Sequence, residues 1–137
     1  MEYALSNDSI SIKVSTAGGS FTSIEADGRE YLWQGDPAVW SGQAPVCFPI
    51  CGGLRDNNAM TFAGHHVKLA RHGFARKQEW KLLSQGENEL AMCLASEDNA
   101  ALLSDYPYPF RLVARYTLED AAVRVSYEVT NEGTEDM

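Results

Sequence analysis

Leu112-Val113-Ala114-Arg115-Tyr116-Thr117-Leu118 and Val123-Arg124-Val125-Ser126-Tyr127-Glu128-Val129, joined by the acidic turn Glu119-Asp120, form the clearest pair of strands in the chain. Working outward, Phe110 to Leu118, Val123 to Thr130, Glu89 to Ala95, Glu79 to Ser84 and Met60 to Leu69 each read as strands. Near the N-terminus, Ser9-Ile10-Ser11-Ile12-Lys13-Val14-Ser15 alternates polar and apolar side chains with period two, the pattern of a strand with one buried face. Ala17-Gly18-Gly19 interrupts it, Phe21 to Ala26 resumes an extended pattern, and Asp27-Gly28 is a two-residue hairpin signal before Arg29 to Trp33. Only Asn99 to Leu103 is expected to make a short turn of helix. The reading is an all-β chain folded as an antiparallel β-sandwich.

Composition sets the bounds. The 137 residues have the size of one domain, with 45% hydrophobic and 22% charged residues, a balance that favours folding over disorder. A formal net charge of -8 opposes binding to nucleic acid, whose phosphates are met by clusters of lysine and arginine. The N-terminus lacks the basic start and apolar run of a signal peptide, and no segment approaches a membrane-spanning length. No membrane partner is expected. Three cysteines, Cys47, Cys51 and Cys93, form no paired framework and suit a reducing compartment, so the expected location is cytoplasmic.

From Gln34 to Asn58 the pattern is irregular, with Pro37, Pro45, Pro49 and Gly52-Gly53 interrupting any regular pairing. Long irregular segments held by a scaffold often carry binding groups, and a site is expected there. The densest usable chemistry follows it, in Arg71-His72-Gly73-Phe74-Ala75-Arg76-Lys77-Gln78-Glu79-Trp80. Imidazole donates or accepts a proton near neutral pH, and guanidinium makes fixed, charged hydrogen bonds to oxygen-rich ligands. Arg55, within Cys51-Gly52-Gly53-Leu54-Arg55-Asp56, can meet vicinal hydroxyls, or simply pair with Asp56. A polyhydroxylated or anionic small molecule is the partner that these groups suit.

Other constellations read more plainly. His65, His66, His72, Cys47 and Cys51 do not have the spacing of a metal site. Adjacent strand histidines point to opposite faces, and the Cys-x3-Cys around Pro49 has no matching second pair. The histidines are expected as exposed strand residues and the cysteines as small core residues, without a nucleophilic role. Gly18-Gly19-Ser20 leads into a strand, not a helix, and reads as a turn in place of a phosphate loop. Trp33, Trp40, Phe48, Phe74 and Trp80 are expected mostly in the core.

The order of these stretches resembles the N-terminal part of the aldose 1-epimerase (galactose mutarotase) family, in its LacX-like branch. The resemblance is carried by Gly18 to Ile24, Glu30-Tyr31-Leu32-Trp33-Gln34-Gly35-Asp36-Pro37, Trp40, Pro45 to Asp56 and His72 to Trp80. Tyr106-Pro107-Tyr108-Pro109-Phe110-Arg111-Leu112 and Tyr127-Glu128-Val129-Thr130-Asn131 complete it. The His-Gly-Phe-Ala-Arg stretch is also similar to that of hexose-6-phosphate epimerases. The family implies a truncated form of the mutarotase-like supersandwich and a sugar, an aldohexose or its phosphate, as small-molecule partner. It implies cofactor-free interconversion of α and β anomers by acid-base ring opening, with no metal. By this resemblance His72 is the first active-site histidine and Arg55 the substrate-orienting arginine, although Leu54-Arg55-Asp56 departs from the family's Asn-Arg context. Phe74 and Arg76 are expected to shape the turn.

The family's second histidine and its glutamate base match no position in these residues, so this chain alone is expected to be weak or inactive. Glu132, Glu135 and Asp136 read as a solvated acidic tail, not as substitutes. A sandwich stopped midway exposes strand edges and apolar surface, which implies self-association or a complementing C-terminal chain. A second reading is a non-catalytic carbohydrate-binding sandwich module.

Overall fold

The first sheet is a meander of four antiparallel strands in the order β1-β2-β3-β4: β1 Glu2–Ser6, β2 Ser11–Ser15, β3 Ser20–Ala26 and β4 Arg29–Glu30. The computed structural model describes all of residues 1–137. A small hairpin follows, β5 Asn58–Met60 with β6 His66–Lys68, and then a second four-stranded sheet. Its strands are β7 Lys81–Gln85, β8 Glu89–Ala95, β9 Phe110–Glu119 and β10 Ala122–Asn131, in the order β10-β9-β8-β7. The helix α1 spans Leu102–Asp105, and no helix is long and apolar enough to cross a membrane.

Strand periodicity decides which side chains meet. On β9, Phe110, Leu112, Ala114, Tyr116 and Leu118 point to one face and are buried, as are Leu90, Met92 and Leu94 on β8. They share one core with Leu5, Ile12 and Val14 of the first sheet, together with Val46, Ala75 and Trp80. The two antiparallel sheets therefore pack face to face across a common apolar layer, as the sandwich reading expects. The alternate residues Ala91, Cys93, Ala95 and Val113 form a smaller buried cluster on the opposite face.

Two contacts fasten the layers. The Tyr116 hydroxyl donates to the Gly19 carbonyl, and its ring meets Phe21 edge-on at 4.8 Å between centroids. Trp80 lies over Gly19, where any Cβ would stand 2.5 Å from the indole, and its Nε1 donates to the Ala75 carbonyl at 3.0 Å. Gly18 and Gly19 both have positive φ, so this glycine pair is the expected turn, and it receives the aromatic ring of a later segment.

Several sequence expectations change. Glu2–Ser6 is a strand that the sequence reading does not identify, paired along its length with β2. Met60 to Leu69 is not one strand: Gly64 at φ 83° turns the chain, and Thr61 accepts at its carbonyl from Gly64 while its amide donates to His65. Of Arg29 to Trp33, only Arg29 and Glu30 form a strand, with the Tyr31 amide donating to the Ile24 carbonyl just beyond it. There the chain turns over the Glu30 carboxylate, which accepts from Ser23 Oγ at 2.5 Å and from the amides of Ile24 and Leu32 at 2.9 and 2.8 Å. Burial raises its pKa, but these hydrogen bonds outweigh that effect and hold the carboxyl below its usual range. Trp33 and Trp40 are 43% and 51% exposed, not core, because the irregular segment that carries them lies outside the sandwich.

Candidate active site

Two segments distant in sequence meet here. The Phe48 carbonyl accepts from the amides of Phe74 and Ala75 at 2.9 and 3.3 Å, and Phe48 bridges Gly73 in parallel. Gly73 has φ 70°, and a Cβ on it would stand 2.0 Å from the Phe48 carbonyl oxygen. Only glycine permits so close a crossing. The rings of Phe48, Phe74, Tyr106 and Phe110 then stack around this crossing at centroid distances from 4.9 to 6.3 Å. Of these, Phe48 and Phe74, expected in the core, are partly buried against it.

His72 itself is half-buried and held by a reciprocal pair: its amide donates to the Gly52 carbonyl at 2.6 Å, and the Gly52 amide donates to its Nδ1 at 3.0 Å. Its backbone is in the left-handed region, φ 69°, uncommon for a residue with a side chain and maintained by these bonds. A second donor, Arg71 Nε, stands 3.3 Å from Nε2. A neutral imidazole has one acceptor nitrogen, so both contacts cannot be hydrogen bonds at once. The Gly52 amide is fixed and closer, whereas the Arg71 side chain is exposed and free to turn away. Nδ1 is therefore the acceptor and Nε2 carries the hydrogen, which makes His72 a donor through Nε2.

Arg76 Nη2 donates to the Arg71 carbonyl at 2.9 Å, which braces the turn as expected, while Arg76 Nε is buried without a partner. Arg55 does not pair with Asp56. It remains exposed on a 3-10 turn, Arg55–Asn57, lining a shallow hollow with Asp56, Asn58, Ala59, Met60 and His66. The structure joins His72 and Arg55 by no hydrogen bond.

The cysteines depart from expectation. Cys51 is exposed and Cys47 half-buried; only Cys93 is a core residue. The sulfurs of Cys47 and Cys51 and one ring nitrogen of His72 all lie within 4.8 Å of one another. Spacing along the chain cannot reveal this, because the meeting depends on the Phe48–Gly73 crossing. The Cys47 thiol is pushed above its ordinary pKa by burial and by the neighbouring Cys51, with Arg76 acting the other way.

A second cluster also escapes the sequence reading. His65 Nε2 lies 2.6 Å from Glu135 Oε2, and its ring meets Tyr108 edge-on at 5.6 Å. His65 is consequently not an exposed strand histidine, and Glu135 is not simply solvated. Glu132 likewise accepts from Arg111 Nε at 2.7 Å. A hollow of about 890 Å³ is next to this cluster, lined by Met60, Phe62, Tyr106, Tyr108, Glu135 and Met137 among others; His72 is not in its wall. The geometry around His72 is a better guide to chemistry than that volume, because there the histidine is held by two hydrogen bonds to the Gly52 backbone beside a glycine turn.

The family model described as aldose 1-epimerase matches residues 1–137. Protein LacX of Lactococcus lactis subsp. lactis, in its plasmid form, is 41% identical over 143 residues, covering 98% of this chain and 46% of the relative; the chromosomal form gives the same values. Among solved structures, a galactose mutarotase related enzyme from Lactobacillus acidophilus superposes with a TM-score of 0.88 at 28% identity, covering 96% of this chain and 43% of that one. A galactose mutarotase-like protein from Lactobacillus casei gives a TM-score of 0.92 at 24% identity over 100% and 46%, a likeness of fold. The chain spans about half the length of the curated relatives that it matches. A sandwich of this topology, a histidine turn locked onto a glycine-rich loop and a family match over every residue lead to one conclusion: the chain belongs to the aldose 1-epimerase family.

Proposed function

We propose that the protein acts on an aldohexose, or its phosphate, by interconverting the α and β anomers through ring opening. A base removes the proton of the anomeric hydroxyl, the ring C–O bond breaks as an acid protonates the ring oxygen, and an aldehyde forms. Closure on the other face of the carbonyl returns both protons and inverts the anomeric carbon. His72 supplies a hydrogen-bond donor to the reacting oxygens through Nε2, and Arg55 orients substrate hydroxyls. The observation that carries this reading is the Gly52 amide bond to His72 Nδ1, which commits Nδ1 as acceptor and leaves Nε2, beside the exposed Arg71 side chain, as the nitrogen that would meet a sugar.

Polarimetry of freshly dissolved α-galactose and α-glucose tests the proposal, with calorimetric titration of the same sugars alongside. The expected result is sugar binding with a small acceleration of mutarotation that His72→Ala abolishes; a positioned acid or base contributes on the order of 10²–10⁴-fold in a complete site. Binding without any acceleration would favour the carbohydrate-binding module instead. Absence of binding for every aldose and aldose phosphate tried would remove both readings.

A further inference from the structure

We propose that Cys47 and Cys51 form a dithiol site, open to oxidation by small-molecule disulfides, that closes reversibly into an intramolecular disulfide beside His72. The inference stands on the sulfur positions and is independent of the sugar reading. The two sulfurs lie within 4.8 Å of each other, and neither has a stronger partner; the contact of Cys47 Sγ with the Pro45 carbonyl, at 3.9 Å, is a weak one. A disulfide needs about 2.0 Å between sulfurs. Space for that approach is open beside Cys51, where the following Gly52, at φ 102°, and Gly53 have no heavy atom closer than 4.0 Å to an added Cβ. Phe48, between the two cysteines, is held by Phe74 and Ala75, and Gly52, next to Cys51, by His72, so the backbone stays in place and closure is made by rotation of the two side chains.

The third member of the cluster, His72, makes a metal a poorer occupant. Nδ1 already accepts from the Gly52 amide, and Nε2 faces the Arg71 guanidinium. A metal on Nε2 would place a hydrogen on Nδ1 against the Gly52 N–H. A metal on Nδ1 would displace that bond. Neither conflict touches the thiols.

The order of events follows from exposure. The exposed Cys51 thiol, as its thiolate, attacks one sulfur of a small disulfide and expels the other half as a thiolate, leaving a mixed disulfide on Cys51. Cys47, shielded by burial, then attacks the Cys51 sulfur and expels the second small thiolate. The two protons released by the cysteines are taken up by the two departing thiolates. Two protein thiols are oxidised and one small disulfide is reduced to two thiols, so electrons and atoms balance.

The test uses the whole chain, folded, incubated with oxidised glutathione, quenched in acid and alkylated under denaturing conditions before mass spectrometry. The expected result is loss of two of the three alkylatable thiols, a Cys47–Cys51 linked peptide, and recovery on reduction. Cys93, buried against Arg111, remains alkylatable and serves as the internal reference. Cys47→Ser is expected to stop at the mixed disulfide on Cys51, and Cys51→Ser to form neither product. Accumulation of the mixed disulfide in the wild-type chain, or persistence of three free thiols across oxidising mixtures, would overturn the proposal. Both serine variants keep the fold-forming core intact, so their circular dichroism is expected to match the parent.

Discussion

β9 and β10 are neighbours in one sheet, each ten residues long and paired residue for residue, yet they end in opposite environments. Every second side chain of β9 from Phe110 to Leu118 is buried. On β10 the residues opposite them begin half-buried at Val123 and Val125 and become 54% and 45% exposed at Tyr127 and Val129. Directly opposed residues of an antiparallel pair share a face, so Val123, Val125, Tyr127 and Val129 sit on the core side of the sheet. The difference is one of cover. β9 lies between two strands and beneath the first sheet, whereas β10 is the edge strand and its far half has no layer above it. Alternation specifies the face that a residue joins; burial requires a second layer to be present.

The most direct attempt to break this comparison is a pair of truncations. Phe110→Ala removes a fully buried ring and is expected to cost about 3–5 kcal/mol in urea unfolding. Tyr127→Ala, on the same sheet face, is expected to cost about 1 kcal/mol or less, because the residue is already 54% exposed. Equal costs would mean that β10 is covered in solution.

An alkaline titration sharpens the contrast further. Burial, with Tyr127 nearby, pushes the Tyr116 phenol far above its ordinary pKa, and burial with the Cys47 thiol nearby raises Tyr127 as well. In each case the folded state holds a proton that the unfolded state releases. For Tyr116 the stabilisation is full below the unfolded phenol pKa of about 10 and declines as pH rises beyond it, by up to about 1.4 kcal/mol per pH unit; for Tyr127, which is half exposed, solvent screening leaves a smaller decline. Tyr116→Phe is expected to flatten the decline measured by urea unfolding at successive pH values above 10, and Tyr127→Phe to change it less. An unaltered slope in Tyr116→Phe would contradict the assignment.

The smallest effect on stability accompanies the clearest effect on association. An edge strand with apolar side chains in solvent favours pairing with another chain. Sedimentation velocity is expected to show concentration-dependent association of the parent, reduced when Tyr127 and Val129 are both changed to lysine. A monomeric parent at all concentrations would indicate that the exposed half of β10 is tolerated as it stands.

Much of this fold was legible in the chain. Glu89 to Ala95 is a strand over those same residues, the Asp27-Gly28 turn has both φ angles positive, and the irregular run after Gln34 has no strand until Asn58. β1 escaped because Glu-Tyr-Ala-Leu-Ser offers only one buried side chain, Leu5, and depends on β2 for its pairing. The hairpin of β5 and β6 escaped because its turn interrupts a run read as continuous. Of the candidate site, His72 and Gly73 stood out as a chemical group beside a turn. The tautomer of His72 did not, since it is set by an amide twenty positions earlier in the chain.

By itself the sequence determined most strands of the two sheets, the glycine turns and the presence of a histidine within a family pattern, because these rest on local periodicity and on residues with special backbone freedom. Tertiary structure alone decided that Cys47, Cys51 and His72 meet, that His65 pairs with Glu135, and that β10 ends uncovered. Each of these depends on through-space approach of segments far apart along the chain, and only packing against the two sheets fixes that approach.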